Sequence, residues 1–230
     1  MNRRAICVVP ARGGSKRLPR KNVLLFHGKP MLAHSIAAAQ ASGCFERIVV
    51  SSEDDEVLTI ADGFAVGIHR RDEALASDQA RVVDVMLDVL DSEAAAGRDY
   101  DVLCCLYPTA PLRSAADVEA VVALVVPGKS DFALAVTDYD LPPHQALRLD
   151  SNQGLEPMFP DLVELRDEEV GKLVVDNGST YAVSTPAFRA HKSFYGPGLK
   201  GHIMPRARSV DINLPDDLDL ADYYFGRLRA

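Results

Sequence analysis

The feature that most constrains this chain is the alternation of short apolar runs with longer helical patterns in its first half. Continuous apolar runs of about five residues are typical of strands buried on both faces of a parallel sheet. Strands are predicted at residues 5–9, 47–50, near 64–66, and 101–106. Helices are predicted at residues 30–42, 54–62, 80–96 and 115–126. This order predicts βαβ units and an α/β fold with a doubly wound, mostly parallel sheet.

The alternation stops near Asp138. From about residue 138 to residue 176 the chain is rich in proline and charge, with only short alternating pieces. This pattern predicts an insertion or small flap on one domain that spans residues 1–230, rather than another βαβ unit. Regular structure is predicted to return at residues 179–183 and 209–212, and a last helix is predicted to begin near Pro215.

Composition excludes some classes of protein. The chain has 230 residues, 47% of them apolar, and a formal charge of −8. A net acidic chain is unsuited to general nucleic-acid binding, so phosphate binding requires a local basic cluster. The four cysteines form no CxxC pair and are predicted to be reduced core thiols, which favours a cytoplasmic location. We see no secretory signal and no stretch that predicts a membrane-spanning helix.

The loop after the first predicted strand is the most informative segment. Residues 10–22 have the sequence PARGGSKRLPRKN, with five cations and two adjacent glycines. Glycines let backbone N–H groups approach a ligand closely, and ligands of open α/β sheets bind at the carboxyl ends of the strands. The loop therefore predicts a polyphosphate site. It matches neither the Walker A pattern nor the GxGxxG dinucleotide pattern. The five cations are Arg12, Lys16, Arg17, Arg20 and Lys21.

Residues 10–22 resemble the signature loop of the acylneuraminate cytidylyltransferases. Further matching segments follow in the family's order, at residues 28–32, 49–54, 71, 75–78, 108–113, 177–178 and 211–213. Residues 104–107 and 141–147 look more like the branch that activates pseudaminate. The resemblance implies a Rossmann-like nucleotidyltransferase fold with a small inserted dimerisation element at about residues 138–176, and hence a homodimer.

The resemblance also implies a reaction. The anomeric hydroxyl of a sialic-acid-like nine-carbon acid would attack the α-phosphorus of CTP, with Mg²⁺ as cofactor and pyrophosphate as leaving group. Arg12, Lys21 and Asp211 match the catalytic positions. The positions that match CTP contacts are Ala11, Arg12, Gly13, Ser15, Lys16, Lys21, Asn22, Arg71, Ser77 and Asp78.

Asp211 is the leading candidate for a metal ligand, because it is predicted to end an apolar strand and carboxylate oxygen suits Mg²⁺. Relatives often carry a second Asp two residues later, where this chain has Asn213. An amide can still coordinate a metal or hold a metal-bound water. We therefore predict a metal site formed by Asp211 and Asn213.

The sugar side departs from the neuraminate pattern. Neuraminate enzymes commonly place an Arg just before the Asn-Gly motif, to meet the sugar carboxylate, where this chain has Val175-Asp176. Tyr107, Gln145 and Asn177 are the predicted sugar contacts. N-acetylneuraminate is accordingly predicted to be a poor substrate. Three cations of the insertion could supply the carboxylate partner instead: Arg148, Arg166 and Lys172.

Two alternatives stay open at this point. One is a cytidylyltransferase for another 3-deoxy sugar acid, such as the eight-carbon acid of lipopolysaccharide, although residues 13–17 differ from the loop we expect there. The other is a non-catalytic nucleotide-binding relative, which the intact Arg12, Lys21 and Asp211 disfavour. The sequence does not decide which nine-carbon acid is used.

Overall fold

Helices and strands alternate along the computed structural model, which describes residues 3–77 and 79–229. The strands are β1 (Ala5–Pro10), β2 (Leu25–Phe26), β3 (Lys29–Pro30), β4 (Arg47–Ser52), β5 (Gly67–Arg70), β6 (Val102–Leu106), β7 (Phe132–Asp138), β8 (Leu147–Leu149), β9 (Leu155–Pro157), β10 (Val174–Ser184) and β11 (Lys200–Ile203). The α-helices are α1 (Met31–Ser42), α2 (Asp55–Gly63), α3 (Val82–Ala95), α4 (Ala115–Leu124), α5 (Asp167–Val170), α6 (Thr185–His191) and α7 (Pro215–Arg229).

Seven strands of the described chain form one sheet, in the order β11-β7-β10-β6-β1-β4-β5. β1 pairs in parallel with β4 and β6, and β5 pairs in parallel with β4. β10 runs antiparallel to both of its neighbours, β6 and β7. The predicted mostly parallel sheet is confirmed, with one reversed strand inserted between β6 and β7.

Both faces of the sheet are covered, which confirms the doubly wound prediction. Alternate residues of a strand face opposite sides, so Cys104 packs in the core with α1, α2 and α4, while Cys105 packs in the core with α3 and α6. Cys7, Cys104 and Cys105 are buried and Cys44 is half-buried, all as free thiols. The apolar runs at β1 and β6 are therefore core strands.

Most element limits lie within two residues of the prediction, but one predicted strand is displaced along the chain and another is absent from the described residues. Residues 64–66 follow the end of α2, and Ala65 takes a left-handed φ of 53°, so the strand begins only at Gly67. Residues 209–212 form no strand. Val210 and Ile212 are buried because they pack beside Phe26 in a third core cluster, so their apolar character reflects burial and not sheet pairing.

The segment at 138–176 lies outside the βαβ pattern. It contains a 3₁₀ turn at Pro143–Gln145, a hairpin of β8 and β9, and the short helix α5. Its apolar side chains are largely exposed, for example Leu149 at 66% and Leu155 at 62%. The role of this segment as a dimerisation element stays a prediction. The helices of the described residues all lack the length and apolarity that a bilayer crossing requires.

Candidate active site

A cavity of about 470 Å³ opens at the edge of the sheet where parallel strands end. Pro10 and the loop after it form one wall of the cavity. A second wall contains Arg71, which follows β5, and Tyr107, which follows β6. The third wall is the segment that leads into α3, with Ser77 and Ala80. The cavity therefore lies at the position where open α/β sheets bind their ligands.

Four of the five cations of the basic loop line this cavity: Arg12, Lys16, Arg17 and Lys21. The fifth, Arg20, is exposed and pairs with two acids at the start of α2, Asp54 at 2.5 Å and Glu56. The loop thus separates its cations into a ligand-facing group and one residue that attaches the loop to α2. This concentration of positive charge in an acidic protein suits a polyphosphate.

Backbone contacts fix the first turn of the loop. The N–H of Ala11 donates to Ser51 O at 3.0 Å, and the N–H of Gly13 donates to Glu53 Oε1 at 2.7 Å. A Cβ at Gly13 would overlap Asp54 and lie 2.8 Å from its Cβ. Gly13 is therefore required for close packing against the start of α2, and neither Ala11 nor Gly13 lies in the cavity lining.

Buried polar atoms without a hydrogen-bond partner occur near the cavity. They include Asn22 Oδ1, Arg71 Nε and Glu53 Oε2, which find no partner among the described residues. Arg71 Nε lies 3.8 Å from Glu53 Oε2, too far for a hydrogen bond. Burial lowers the pKa of Arg71, and the charge of Glu53 opposes this. Because Asn22 and Arg71 line the cavity, a bound ligand could satisfy both unpartnered atoms.

The other predicted nucleotide contacts are placed differently. Ser15 and Ser77 line the cavity, and the Ser77 hydroxyl donates to Ala74 O at 3.2 Å. Asp78 lies outside the described residues, so its predicted contact is untested. Ala80 and Val82 also line the cavity and give this wall an apolar character.

Lys21 connects the cavity to the predicted metal site. Its Nζ donates to Ile212 O at 2.7 Å and to Asn213 Oδ1 at 3.0 Å. Burial lowers the pKa of Lys21, while the nearby charge of Asp211 opposes the change. Arg17 also donates to Asn213 Oδ1, at 2.8 Å. The basic loop and residues 211–213, far apart in sequence, therefore meet.

Residues 209–213 reach this edge without forming a strand, because contacts from several elements hold them there. The N–H of Ile212 donates to Thr109 O at 2.8 Å, just beyond β6. Arg208, just before this segment, makes two hydrogen bonds to the buried Asp117 of α4, at 2.8 and 2.9 Å. Burial opposes ionisation of Asp117, but bonds from Arg208 and Ser114 hold its pKa well below the usual range.

Asp211 and Asn213 together suit a metal only in part. Asp211 Oδ2 accepts from Asn213 Nδ2 at 2.7 Å, and Asn213 Oδ1 is occupied by Lys21 and Arg17. In the described ranges, no group of three or more His, Cys, Asp or Glu side chains is arranged to hold a metal ion. A single carboxylate completed by substrate phosphates is a usual Mg²⁺ arrangement. Asp211 fits that arrangement, whereas Asn213 fits an outer position better.

The predicted sugar contacts do not share one cavity. Tyr107 lines the cavity beside the basic loop, and burial raises its pKa. Asn177 is buried, and its side chain donates to Ser209 Oγ at 3.1 Å, so it ties β10 to the segment of Asp211. Gln145 is exposed on the insertion, outside the cavity lining. The neighbouring His144 is buried, with Nε2 3.1 Å from Leu165 O.

Arg113 is a charged residue that the sequence patterns do not single out. It is 4% exposed and donates to Tyr107 O and Ser35 Oγ, both at 2.5 Å, and also to Ser179 O. Burial lowers its pKa to about 10. Arg113 therefore joins Tyr107, just beyond β6, to Ser179 in the middle of β10 and to Ser35 of α1. The sequence signal that could have pointed to Arg113 was its position in residues 108–113, a segment that matches the family's pattern.

The fold is shared with known nucleotidyltransferases. CMP:2-keto-3-deoxy-manno-octonic acid synthetase, in complex with CTP, superposes with a TM-score of 0.71 at 16% identity, covering 98% of this chain and 99% of that one. A 4-diphosphocytidyl-2C-methyl-D-erythritol synthase superposes with a TM-score of 0.65 at 12% identity, covering 97% and 99%. At such identities the likeness defines the fold class, a nucleotidyltransferase fold.

Sequence comparison defines the family. The cytidylyltransferase family model matches residues 6–139, from β1 to the start of the insertion. A pseudaminic acid cytidylyltransferase of Campylobacter jejuni is 32% identical, over 94% of each chain. A CMP-N,N'-diacetyllegionaminic acid synthase of Legionella pneumophila is 33% identical, over 95% of each. An N-acylneuraminate cytidylyltransferase of Escherichia coli is 28% identical, over 96% of this chain and 52% of the relative. The chain belongs to the cytidylyltransferase family.

Proposed function

We propose that this enzyme transfers CMP from CTP to the anomeric hydroxyl of a nonulosonic acid, a nine-carbon sugar acid. The observation that carries the proposal is the cation-lined cavity at the carboxyl edge of the sheet, in a chain whose relatives are named for pseudaminic, legionaminic and acylneuraminic acids. The anomeric oxygen bonds to the α-phosphorus, the bond from that phosphorus to the bridging oxygen breaks, and pyrophosphate leaves. The hydroxyl proton is released to solvent.

The residues of the loop have distinct parts in this proposal. Arg12, Lys16 and Lys21 offset negative charge on the phosphates, which grows on the leaving group in the transition state. Asn22 and Arg71 bind the nucleoside through their unpartnered buried atoms. Ala11 and Gly13 contribute backbone and shape, since both are held against the strand and helix that follow.

Mg²⁺ is part of the proposal. Asp211 would hold the ion as the one direct carboxylate ligand, with Asn213 in an outer position and the CTP phosphates completing the shell. Bound there, the ion would neutralise charge on the phosphate oxygens. The support is the hard carboxylate oxygen of Asp211 beside Lys21, a cation of the phosphate-facing loop.

The choice of nucleotide gives a first test. The amide of Asn22 and the guanidinium of Arg71 both line the cavity with an unpartnered atom, so a base with matching donors and acceptors should gain affinity over others. Competition calorimetry should show CTP binding at least about tenfold more tightly than ATP or GTP, a difference of about 1.4 kcal/mol. Equal affinity for ATP would contradict the choice of CTP.

The decisive assay combines the protein with CTP, Mg²⁺ and a panel of sugar acids, and follows pyrophosphate release. The panel contains pseudaminate, N,N'-diacetyllegionaminate, N-acetylneuraminate and the eight-carbon acid 2-keto-3-deoxy-manno-octonate. We expect a nonulosonic acid to be fastest, with N-acetylneuraminate slower than the two deoxy acids. The eight-carbon acid as sole substrate would replace the proposal by its nearest alternative. Binding of CTP without turnover of any acid would indicate a non-catalytic relative.

The insertion is proposed to join two copies of the chain. Its exposed apolar side chains support this, and so do its possible sugar contacts, which lie away from the cavity of their own chain. In this arrangement Gln145 would reach the site of the second copy. Sedimentation velocity should give a homodimer for the wild type and a shift to monomer for Leu149→Asp combined with Leu155→Asp. The free, buried cysteines support a reducing cytoplasmic location.

The cations of the insertion are paired within it or with β7. Lys172 lies 3.1 Å from Asp138, Arg166 lies 3.3 Å from Glu169, and Arg148 lies 4.0 Å from Glu156. All three are exposed, where such pairs contribute little free energy and exchange readily. Any of the three therefore stays available as the proposed partner of the sugar carboxylate.

A further inference from the structure

The carboxylate of Asp176 binds two tyrosine hydroxyls. The Tyr181 hydroxyl lies 2.9 and 2.8 Å from its two oxygens, and the Tyr195 hydroxyl donates to Oδ2. The N–H of Gly178 donates to Oδ1 at 2.9 Å. The two tyrosines come from different elements, since Tyr181 is in β10 and Tyr195 is in the loop after α6. We call these three side chains the Asp176 cluster.

This arrangement fixes the direction of both hydroxyl protons. A phenol has one proton to donate, and a carboxylate is an acceptor only. Both tyrosines therefore donate their hydroxyl proton to Asp176, so each phenol oxygen can only accept a further hydrogen bond. Burial, followed by the contact with Asp176, raises the pKa of both phenols, so they remain protonated at neutral pH. A ligand that meets this cluster must offer hydrogen-bond donors.

The cluster adjoins the candidate active site. The Tyr181 ring packs edge-on against Tyr107, with centroids 5.6 Å apart, and Tyr107 lines the nucleotide cavity. Gly178 follows Asp176 by two residues and has a φ of 67°, and a Cβ there would lie 3.2 Å from Asp211 Oδ2. Asp176 and the proposed metal ligand thus flank one short turn of β10. The acceptor sugar must reach this side if its hydroxyl is to attack near Asp211.

We propose that the Asp176 cluster is a specificity element that binds hydroxyl or acetamido N–H donors of the sugar acid and disfavours its carboxylate. The inference rests on the proposed function and adds the orientation of the acceptor. Tyr195, 53% exposed, presents its phenol oxygen to the sugar, whereas Tyr181, 8% exposed, mainly positions Asp176. The negative charge of Asp176 directs the sugar carboxylate to another part of the site, consistent with Val175 in place of the family's Arg.

The test compares wild type with Tyr195→Phe, which keeps the ring and removes the phenol oxygen. The substrates are the fastest acid of the panel and its single deoxy or deacetamido analogues, each lacking one donor. With wild type, one analogue should have a kcat/KM about tenfold below that of the parent acid. With Tyr195→Phe, kcat/KM for the parent acid should fall about tenfold, whereas kcat/KM for that analogue should stay at its wild-type value. The KM for CTP should stay within about twofold. Tyr223→Phe, on α7 and 55% exposed, is the matched control.

Asp176→Asn gives an independent variant. Its amide would donate to one phenol and force that proton outward, so discrimination between the parent acid and the same analogue should fall. If Asp176→Asn does not fold, the half-exposed Tyr195 still decides the question. Analogue losses that are the same in wild type and Tyr195→Phe would overturn this inference alone, with pyrophosphate release from wild type intact. Absence of release with every acid would overturn the proposed function and this inference with it.

Discussion

Charged side chains are paired differently at the two ends of the parallel strands, which we call the amino edge and the carboxyl edge of the sheet. At the amino edge, the buried carboxylate of Glu93 accepts from Arg98 at 2.6 and 2.9 Å, from Tyr100 at 2.9 Å and from Arg47 at 3.0 Å. At the carboxyl edge, Asn22 and Arg71 are buried with unpartnered atoms, and four cations line a cavity. Charge satisfied within the protein contributes to stability, whereas polar atoms left unsatisfied beside a cavity indicate a ligand site.

The largest effect should come from the carboxyl edge, at Asp211. Asp211→Asn removes the proposed metal-binding charge, and we expect a loss in kcat on the order of 10²–10³. Binding of CTP alone, measured without metal, should persist, because the basic loop is unchanged. The control is Asp219→Asn, an exposed carboxylate of α7. Normal Mg²⁺ dependence of turnover in Asp211→Asn would contradict the metal assignment.

The second effect tests the division of cations within the loop. Lys21→Ala and Arg12→Ala each remove charge that faces the cavity and should lower kcat on the order of 10²-fold. Arg20→Ala removes a cation of the same loop that is paired with Asp54 and Glu56, and it should change kcat less than about threefold. Steady-state kinetics at saturating CTP measures all three. Equal losses would show that the loop acts only through its total charge.

The third prediction concerns the amino edge. Burial raises the pKa of Glu93, but bonds from Arg98, Tyr100 and Arg47 outweigh burial and bring it to about 2. Because the folded pKa is lowered, this stabilisation is complete above the unfolded value near 4.5 and is lost as pH falls towards 2. Glu93→Gln should lower the free energy of unfolding by about 2 kcal/mol at pH 7. Urea titrations of both proteins should differ less and less as pH falls below about 4.5 and should converge only near pH 2, while kcat at pH 7 is unchanged. A difference that does not shrink as pH falls from about 5 to about 2 would exclude the charge effect.

The smallest effect is expected for Asn213→Asp. The new carboxylate would lie beside Asp211 Oδ2, which Asn213 Nδ2 now meets at 2.7 Å. Two carboxylates at this distance repel, and a divalent ion relieves the repulsion. The Mg²⁺ concentration for half-maximal rate should therefore fall by up to about tenfold, with kcat within about threefold of wild type. An unchanged Mg²⁺ titration would place residue 213 outside the reach of the metal.

The sequence predicted the fold of the first half of the chain well because the signals there are local. The apolar run of β1, the glycines and the cations that follow it occupy adjacent positions, and Gly43 directly follows the predicted helix and ends α1 in a left-handed conformation. The strand predicted at residues 209–212 is wrong because Val210 and Ile212 are buried in the third core cluster and not in the sheet. The turn at Ala65 and the edge strand β11 are not marked by a comparable pattern in the local sequence.

Long-range contacts were not predictable. The pair of Asp117 with Arg208, the buried Arg113 and the meeting of Lys21 with Asn213 join residues that are far apart in sequence. Asp176 is the clearest example. In the sequence it is only the residue between Val175, which replaces an expected Arg, and the Asn-Gly motif, and the structure alone shows the two tyrosine hydroxyls that Asp176 orients.

The central claim is that CMP, rather than a phosphate or pyrophosphate group, passes from CTP to a sugar acid. ³¹P NMR of the protein with CTP, Mg²⁺ and the fastest acid tests it directly, with Asp211→Asn as the blank. We expect the three triphosphate signals to disappear together while one phosphodiester signal and inorganic pyrophosphate appear in equal amounts. Formation of CDP with inorganic phosphate, or loss of CTP at the same rate without the acid, would contradict the account.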